Sequence, residues 1–324
     1  MFSLPIKARG WTYPADWIDI SSPANNTINL LVGDFGLSKI KFTVTTTAAA
    51  DYSVNWGDGS AVEAINSETI ADHTFTVGTG TACSKGYTTF KVIITSTTAI
   101  TYFKMMPIML NEHNPPLLAV ALGTTGLADT SYMFNDYEDN ESFSCYSLAS
   151  VTLPTSMDAV TDMSYMFYRC TSLASVTLPT SMDSVTDMNM MFFSCFSLAS
   201  VTLLTSLDAV TNMSMMFNSC LSLASVTLPI SMDSVTDMSS MFSNCTSLTS
   251  VILPTSLDAV TNMSSMFNSC TTLNRTDLVG ILTSLPTSIT SQTIDFTGAG
   301  GVGDLTIEDR AIGTDKGWTV TTGL

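Results

Sequence analysis

From residue 145 to residue 270 the apolar positions recur every 25 residues without slippage, marked by Cys145, Cys170, Cys195, Cys220, Cys245 and Cys270. Within residues 148–170, which serve as the type unit, Leu148, Val151 and Leu153 come first, then Pro154, then Met157 and Val160. Met163, Met166, Phe167 and Cys170 close the unit. The first group predicts a short strand, because Val151 and Leu153 share one face while Ser150 and Thr152 share the other. Pro154 ends that strand, having no N–H to give to a ladder. The three- and four-residue spacing of the last group predicts a short helical turn, with Asp162 as its N-cap. One coil is thus strand, corner, helical turn and return. A lone coil cannot offset the entropy of ordering its own backbone, so neighbours must stack to close both sides of the apolar layer.

Leu148, Val151 and Leu153 spell L-x-x-V-x-L, the strand signature of leucine-rich repeats. VTDMSYMFYRCTSLASV (residues 160–176) and VTNMSSMFNSCTTL (residues 260–273) resemble the BspA-like repeats of bacterial surface proteins, with their V-T-[DN]-M-S-x-M-F-x-x-C-x-S-L pattern. The resemblance covers residues 117–282, with Tyr132-Met133-Phe134 as a degraded first copy ahead of an acidic insertion at 136–141. It implies a solenoid used for adhesion or protein contact, without enzymatic activity. Residues 294–298 (IDFTG) and 316–320 (KGWTV) resemble the closing segment that follows such arrays. A cap is required physically, since an open solenoid end exposes strand edges and core.

The constant columns invite sharper readings. Neighbouring coils would bring cysteine α-carbons within about 5 Å, inside disulfide range. All share one apolar context, however, and free buried thiols acting as small hydrophobes are the expectation. Met163, Met188, Met213, Met238 and Met263, with Met166, Met191, Met216, Met241 and Met266 alongside, could form a promiscuous binding face or a soft-metal site. Alignment with the Phe and Cys columns favours core filling. Asp162, Asp187, Asn212, Asp237 and Asn262 alternate in charge, which capping tolerates and calcium chelation would not.

The N-terminal third has a different period. Residues 39–47 and 52–56 alternate, and residues 88–95 are β-branched, with turn residues between. Trp56-Gly57-Asp58-Gly59, with His73-Thr74-Phe75 and Tyr87 to Val92, resembles the PKD-type β-sandwich, in a shortened form of its hallmark. Such domains act as spacers and contact modules, and the resemblance makes His73 structural. Asp58 is expected to bond its own turn backbone rather than calcium. Residues 1–36 carry Trp11, Tyr13 and Trp17 without a clear period; they read either as an arm that docks on a partner or as an arm packed on its own β-domain.

The predicted organisation is mainly β: an arm at 1–36, a PKD-like β-sandwich at 37–100, a leucine-rich-repeat solenoid at 101–282 and a C-terminal cap at 283–324.

Composition narrows the function. The net charge is −17, with four basic residues (Arg169, Arg275, Arg310 and Lys316) beyond residue 104, so nucleic acid and anionic membrane surfaces are not expected partners. No apolar run reaches the roughly 18 residues of a bilayer span, and residues 1–17 lack the pattern of a secretory signal. No nucleophile elbow, phosphate loop, paired-carboxylate site or metal-spaced His/Cys set is found, and 298–303 (GAGGVG) lacks the helix of a phosphate loop. No catalytic residue, metal or cofactor is therefore expected.

The candidate binding residues are the outward hydroxyl rows Thr152, Thr177, Thr202 and Thr227 with Ser150, Ser175, Ser200 and Ser225, together with Trp11 and Trp17 of the arm. Rows about 5 Å apart could grip a glycan, a partner β-edge or an ice lattice; a soluble, β-compatible surface is the plainer explanation. The expected role is a non-enzymatic virion component of a bacteriophage. It would sit in a tail, baseplate or capsid-surface appendage and meet other virion proteins through the arm and β-domain. Its outer contacts would be a host surface protein or glycan, and it could be oligomeric. A bacterial cell-surface adhesin is the alternative.

Overall fold

A computed structural model describes residues 27–34, 39–47, 52–66, 68–74, 81–82, 88–96, 99–105, 117–123, 126–136, 143–144, 146, 148–203, 207–287 and 292–323. Trp11, Trp17, Cys83, His113 and Cys145 lie outside them.

The N-terminal part is built from β1 (Thr27–Asp34), β2 (Lys39–Thr46), β3 (Tyr52–Asn55), β4 (Glu63–Ile65), β5 (Ile70–Thr74), β6 (Thr81–Ala82), β7 (Thr88–Ser96), β8 (Ile100–Met105) and β9 (Leu117–Leu122). One sheet runs β4-β3-β7-β1-β9, with β6 also on β7; the other runs β5-β2-β8. Alternation puts Ile28, Leu30, Val54, Val92 and Ile94 of the first sheet in one core with Phe42, Val44, Phe103 and Met105 of the second. Gly57 (φ +76°) lies so close to β7 that a Cβ there would sit 2.3 Å from the Lys91 carbonyl oxygen. Asp58 accepts the Ser60 N–H at 3.0 Å, an Asx turn that ties down the Gly-Asp-Gly corner.

The structure moves the expected boundaries. β1 lies within 1–36, yet it is central in its sheet, pairing antiparallel with β7 (Leu30↔Val92) and β9 (Leu30↔Val120). β8 lies almost wholly beyond residue 100, yet it pairs with β2. The closing segment begins at Asn274, the cap of a helix, rather than at 283.

β9 also pairs in parallel with β12 (Ser150–Thr152), Val120 opposite Val151, so the first sheet continues directly into the solenoid. β10 (Asn135–Asp136) and β11 (Phe143–Ser144) form a small hairpin ladder ahead of β12. β13 (Ser175–Thr177) pairs with β14 (Ser200–Thr202), and β15 (Ser225–Thr227) with β16 (Ser250–Ile252), all parallel and offset by one repeat.

The opposite side of each coil is not helical. Tyr165 and Arg169 are left-handed (φ 57° each), and so are Met190/Ser194, Met215/Ser219, Ser240/Asn244 and Ser265/Ser269. An α-helix cannot take a left-handed residue every fourth position. Instead the amides alternate. Met163, Tyr165, Phe167 and Arg169 donate to carbonyls of the next coil, while Met166, Tyr168 and Cys170 donate three residues back in their own. Spacing read as helical thus arises from successive tight turns. Asp162 caps one of these turns, its Oδ1 accepting the Ser164 N–H at 2.8 Å. Parallel bridges link Asp129, Asp162, Asp187, Asn212, Asp237 and Asn262 in series.

The cap holds α1 (Arg275–Ser284), β17 (Thr293–Asp295), α2 (Ile307–Thr314) and β18 (Thr319–Thr321). Both helices begin with capping boxes, Asn274/Asp277 and Thr306/Asp309. Arg275 clamps them together through Asp309, with Nε–Oδ2 2.7 Å and Nη2–Oδ1 2.9 Å. Two glycines of 298–303 serve close approach: a Cβ on Gly300 would lie 2.3 Å from the Thr271 carbonyl, and one on Gly301 2.3 Å from the Arg275 nitrogen.

Candidate recognition surfaces

The Met, Phe and Cys columns are interior. Met163, Met188, Met213 and Met238, with Met166, Met191, Met216, Met241 and Met266, are all buried, as are Cys170, Cys195, Cys220, Cys245 and Cys270. The phenylalanine rings stack face to face from coil to coil. Phe134–Phe167, Phe167–Phe192 and Phe192–Phe217 lie 5.5, 5.4 and 5.6 Å apart, within 15° of parallel. The stack reaches into both flanks, Phe103 meeting Phe134 edge-on at 6.5 Å and Phe296 of the cap meeting Phe267 at 5.5 Å.

The five described cysteines are free thiols. Cys195, Cys220, Cys245 and Cys270 each donate S–H to a phenylalanine carbonyl of the preceding coil, at 3.0–3.1 Å. Burial, reinforced by the neighbouring thiol, pushes Cys195, Cys220 and Cys245 well above the ordinary thiol range; burial pushes Cys270 up to about 12. Such thiols are neither nucleophiles nor metal ligands at neutral pH. Among the described residues no group of three His, Cys, Asp or Glu is placed to hold a metal ion.

The hydroxyl rows lie outside. Ser175, Thr177, Ser200, Thr202, Ser225 and Thr227 are exposed, with Ser175 opposite Ser200 and Thr177 opposite Thr202. Ser150 and Thr152 are half-buried. The face is brought together as a surface interrupted by Ile252, at 53% exposure. A second hydroxyl row, at Thr186, Thr211, Thr236 and Thr261, is structural. Each Oγ donates at 3.1–3.2 Å to the carbonyl of its counterpart one coil earlier.

The turn edge carries a feature that the period conceals. Tyr132 stacks on Tyr165 (4.6 Å, 10°) and Tyr168 on Phe193 (5.0 Å, 13°), with Tyr165 tilted against Tyr168 at 5.6 Å. The Arg169 guanidinium lies 5.2 Å from the Tyr168 ring centroid, and Phe196 beyond them is exposed. Reading the constant columns passes over these residues; the signal lay in the positions where the repeats differ.

The fold is mainly β, a run of short strands carried by stacked repeats. Residues 136–274 match the family model of the BspA type leucine rich repeat region, in six copies. The match begins after the coil that holds Asp129 and Phe134, which the bridge Asp129↔Asp162 adds to the stack, and it ends at the N-cap of α1. No curated protein and no solved structure matches the chain.

Proposed function

We propose that this chain is a non-enzymatic recognition and adhesion scaffold on the surface of a bacteriophage particle, in a tail, baseplate or capsid-surface appendage. The observation that supports it most is the BspA-type array, a repeat class that points to surface adhesion. Its geometry fits that role: like side chains are set in columns, an arrangement suited to extended partners, whereas catalysis needs unlike groups converging on one atom. The two-sheet N-terminal part, with its Trp56-Gly57-Asp58-Gly59 corner, acts as a PKD-like spacer. Trp11 and Trp17 dock the chain on other virion proteins, and the solenoid faces a host protein or glycan. No cofactor takes part. The Ser/Thr strand face is one contact surface, fitted to a repeating partner. Mass spectrometry of purified particles from the producing culture tests the placement: the chain is expected at stoichiometric abundance, and its absence from the particles defeats the reading.

The family match equally suits a second placement, a bacterial cell-surface adhesin. Cell fractionation separates the two, since an envelope-associated pool in uninfected cells favours the second.

A further inference from the structure

One edge of the solenoid changes its chemistry along its length while its backbone does not. Tyr132, Tyr165, Met190, Met215, Ser240 and Ser265 occupy equivalent left-handed turn positions, with φ between 52° and 57°. Three residues further on, Tyr168 and Phe193 give way to Asn218, Ser243 and Asn268. Serine and asparagine hold the same turn in the later coils, so the backbone turn does not demand the half-buried rings Tyr165 and Phe193 of the early coils. Their clustering asks for another cause, and Tyr, Phe and Met are the side chains enriched where proteins meet.

The charge around the rings indicates the partner. The chain carries −17 overall. In the early coils Asp129, Asp162 and Asp187 follow one another along this edge, whereas later the column alternates Asn212, Asp237, Asn262. The Asn212 and Asn262 amides donate to Asp187 Oδ2 and Asp237 Oδ2, each at 3.3 Å, so Asp129 and Asp162 are the column's carboxylates without an asparagine neighbour on the following coil. A cation already rests on the patch, since Arg169 sits over Tyr168. Electron-rich rings on a strongly acidic chain suit a guanidinium or ammonium group.

We propose that the aromatic edge of the early coils docks a cationic, Arg- or Lys-bearing protein segment, with the half-buried Tyr165 and Phe193 as anchors, the buried Tyr168 as the ring that supports them, and Arg169 as the resident cation that the incoming segment displaces. The proposal rests on the scaffold reading above, but its test does not need a particle. Absence of the chain from virions would defeat the placement and leave this result standing.

The purified full chain is titrated with fluorescent oligo-arginine and oligo-lysine peptides at physiological salt, with oligo-glutamate as control. The wild type is expected to saturate with the cationic peptides alone. Tyr165→Ser with Phe193→Asn copies residues of later coils, leaves the buried Tyr168 in place and should preserve the fold by circular dichroism, weakening binding by roughly tenfold or more. Asp183→Asn with Asp233→Asn and Asp258→Asn removes charge elsewhere and should weaken it by less than about twofold. Arg169→Ser, copying Ser194, should tighten it. Absence of cationic-peptide binding overturns the proposal. So does an aromatic variant that binds like wild type, or a distant-charge variant that loses as much, because the attraction would then be diffuse charge.

Discussion

The Asp295 carboxylate takes the Ser265 N–H at 2.8 Å, where one coil earlier the Ser240 N–H finds the main-chain carbonyl of Ser264, also at 2.8 Å. On this side every coil donates forwards, so the last coil has amides and no successor. The cap answers with a side chain and with the Gly298 carbonyl, which accepts from Ser269 at 3.1 Å. Asp295 is therefore the end of the ladder, and replacing it with Ala should cost about 1–3 kcal/mol by stranding a half-buried amide, measured by urea unfolding.

The same residue predicts an acid response. Burial alone would raise the Asp295 carboxyl, but hydrogen bonds from Thr297 and the Ser265 N–H outweigh it and hold it below the ordinary carboxylate value. A folded pKa below the unfolded one contributes stability above the unfolded value, about 3.9, and loses it as pH falls through the folded one. Urea midpoints between pH 5 and pH 2 (the acid window of about three units) should drop less steeply in Asp295→Asn than in wild type. Parallel curves would show that Asp295 does not contribute to the acid loss.

The thiols predict the opposite limb. In a variant with Cys83 and Cys145 changed to Ser, Ellman's reagent should label none of the remaining five cysteines of the native protein and all of them in denaturant. Raised folded values mean stability present below the unfolded thiol pKa of about 8.5 and lost as pH rises through the folded ones, towards about 12 for Cys270. Labelling at high pH should track unfolding monitored by circular dichroism. Rapid labelling at neutral pH would contradict a dry interior.

Phe217 lies between Phe192 and Phe242, at 5.6 and 5.7 Å, and is completely buried. Phe217→Ala should cost about 3–5 kcal/mol, and Phe217→Leu less, because more of the volume is kept. Chemical denaturation checks both. Equal small losses would mean that the stack is dispensable.

Gly301 tests the cap. A Cβ there collides with the Arg275 nitrogen and the Asn274 backbone at 2.3 Å, main-chain atoms that cannot step aside. Gly301→Ala should destabilise by about 3 kcal/mol and expose the Trp318 indole, seen as a red shift in fluorescence. Gly303→Ala, with nothing within 4 Å of its added Cβ, is the matched control.

Legibility varied with the kind of information each residue carries. Leu148, Met163, Phe167 and Cys170 could be placed inside and Thr177 and Thr202 outside, because a 25-residue period multiplies a weak preference into a column. The turn side was misread as helical: Met163, Met166, Phe167 and Cys170 have helical spacing, and only cross-coil pairing reveals Tyr165 and Arg169 as left-handed. The place of β1 was missed because Leu30 declares a strand but not its partners Val92 and Val120, each tens of residues away. Tyr168 and Phe193 escaped notice because a search for sameness overlooks the positions that vary.

By itself the sequence determined the period, the apolar columns and the hydroxyl face, since these follow from residue type and spacing along one coil. Only the tertiary structure decided how the ends are closed, with β9 shared between sheet and solenoid and Asp295 finishing the ladder. It also decided which rings meet on the turn edge. The reason is physical: those relationships join residues far apart in the chain, and the hydrogen-bond demand of one coil is met in large part by its neighbours in the stack.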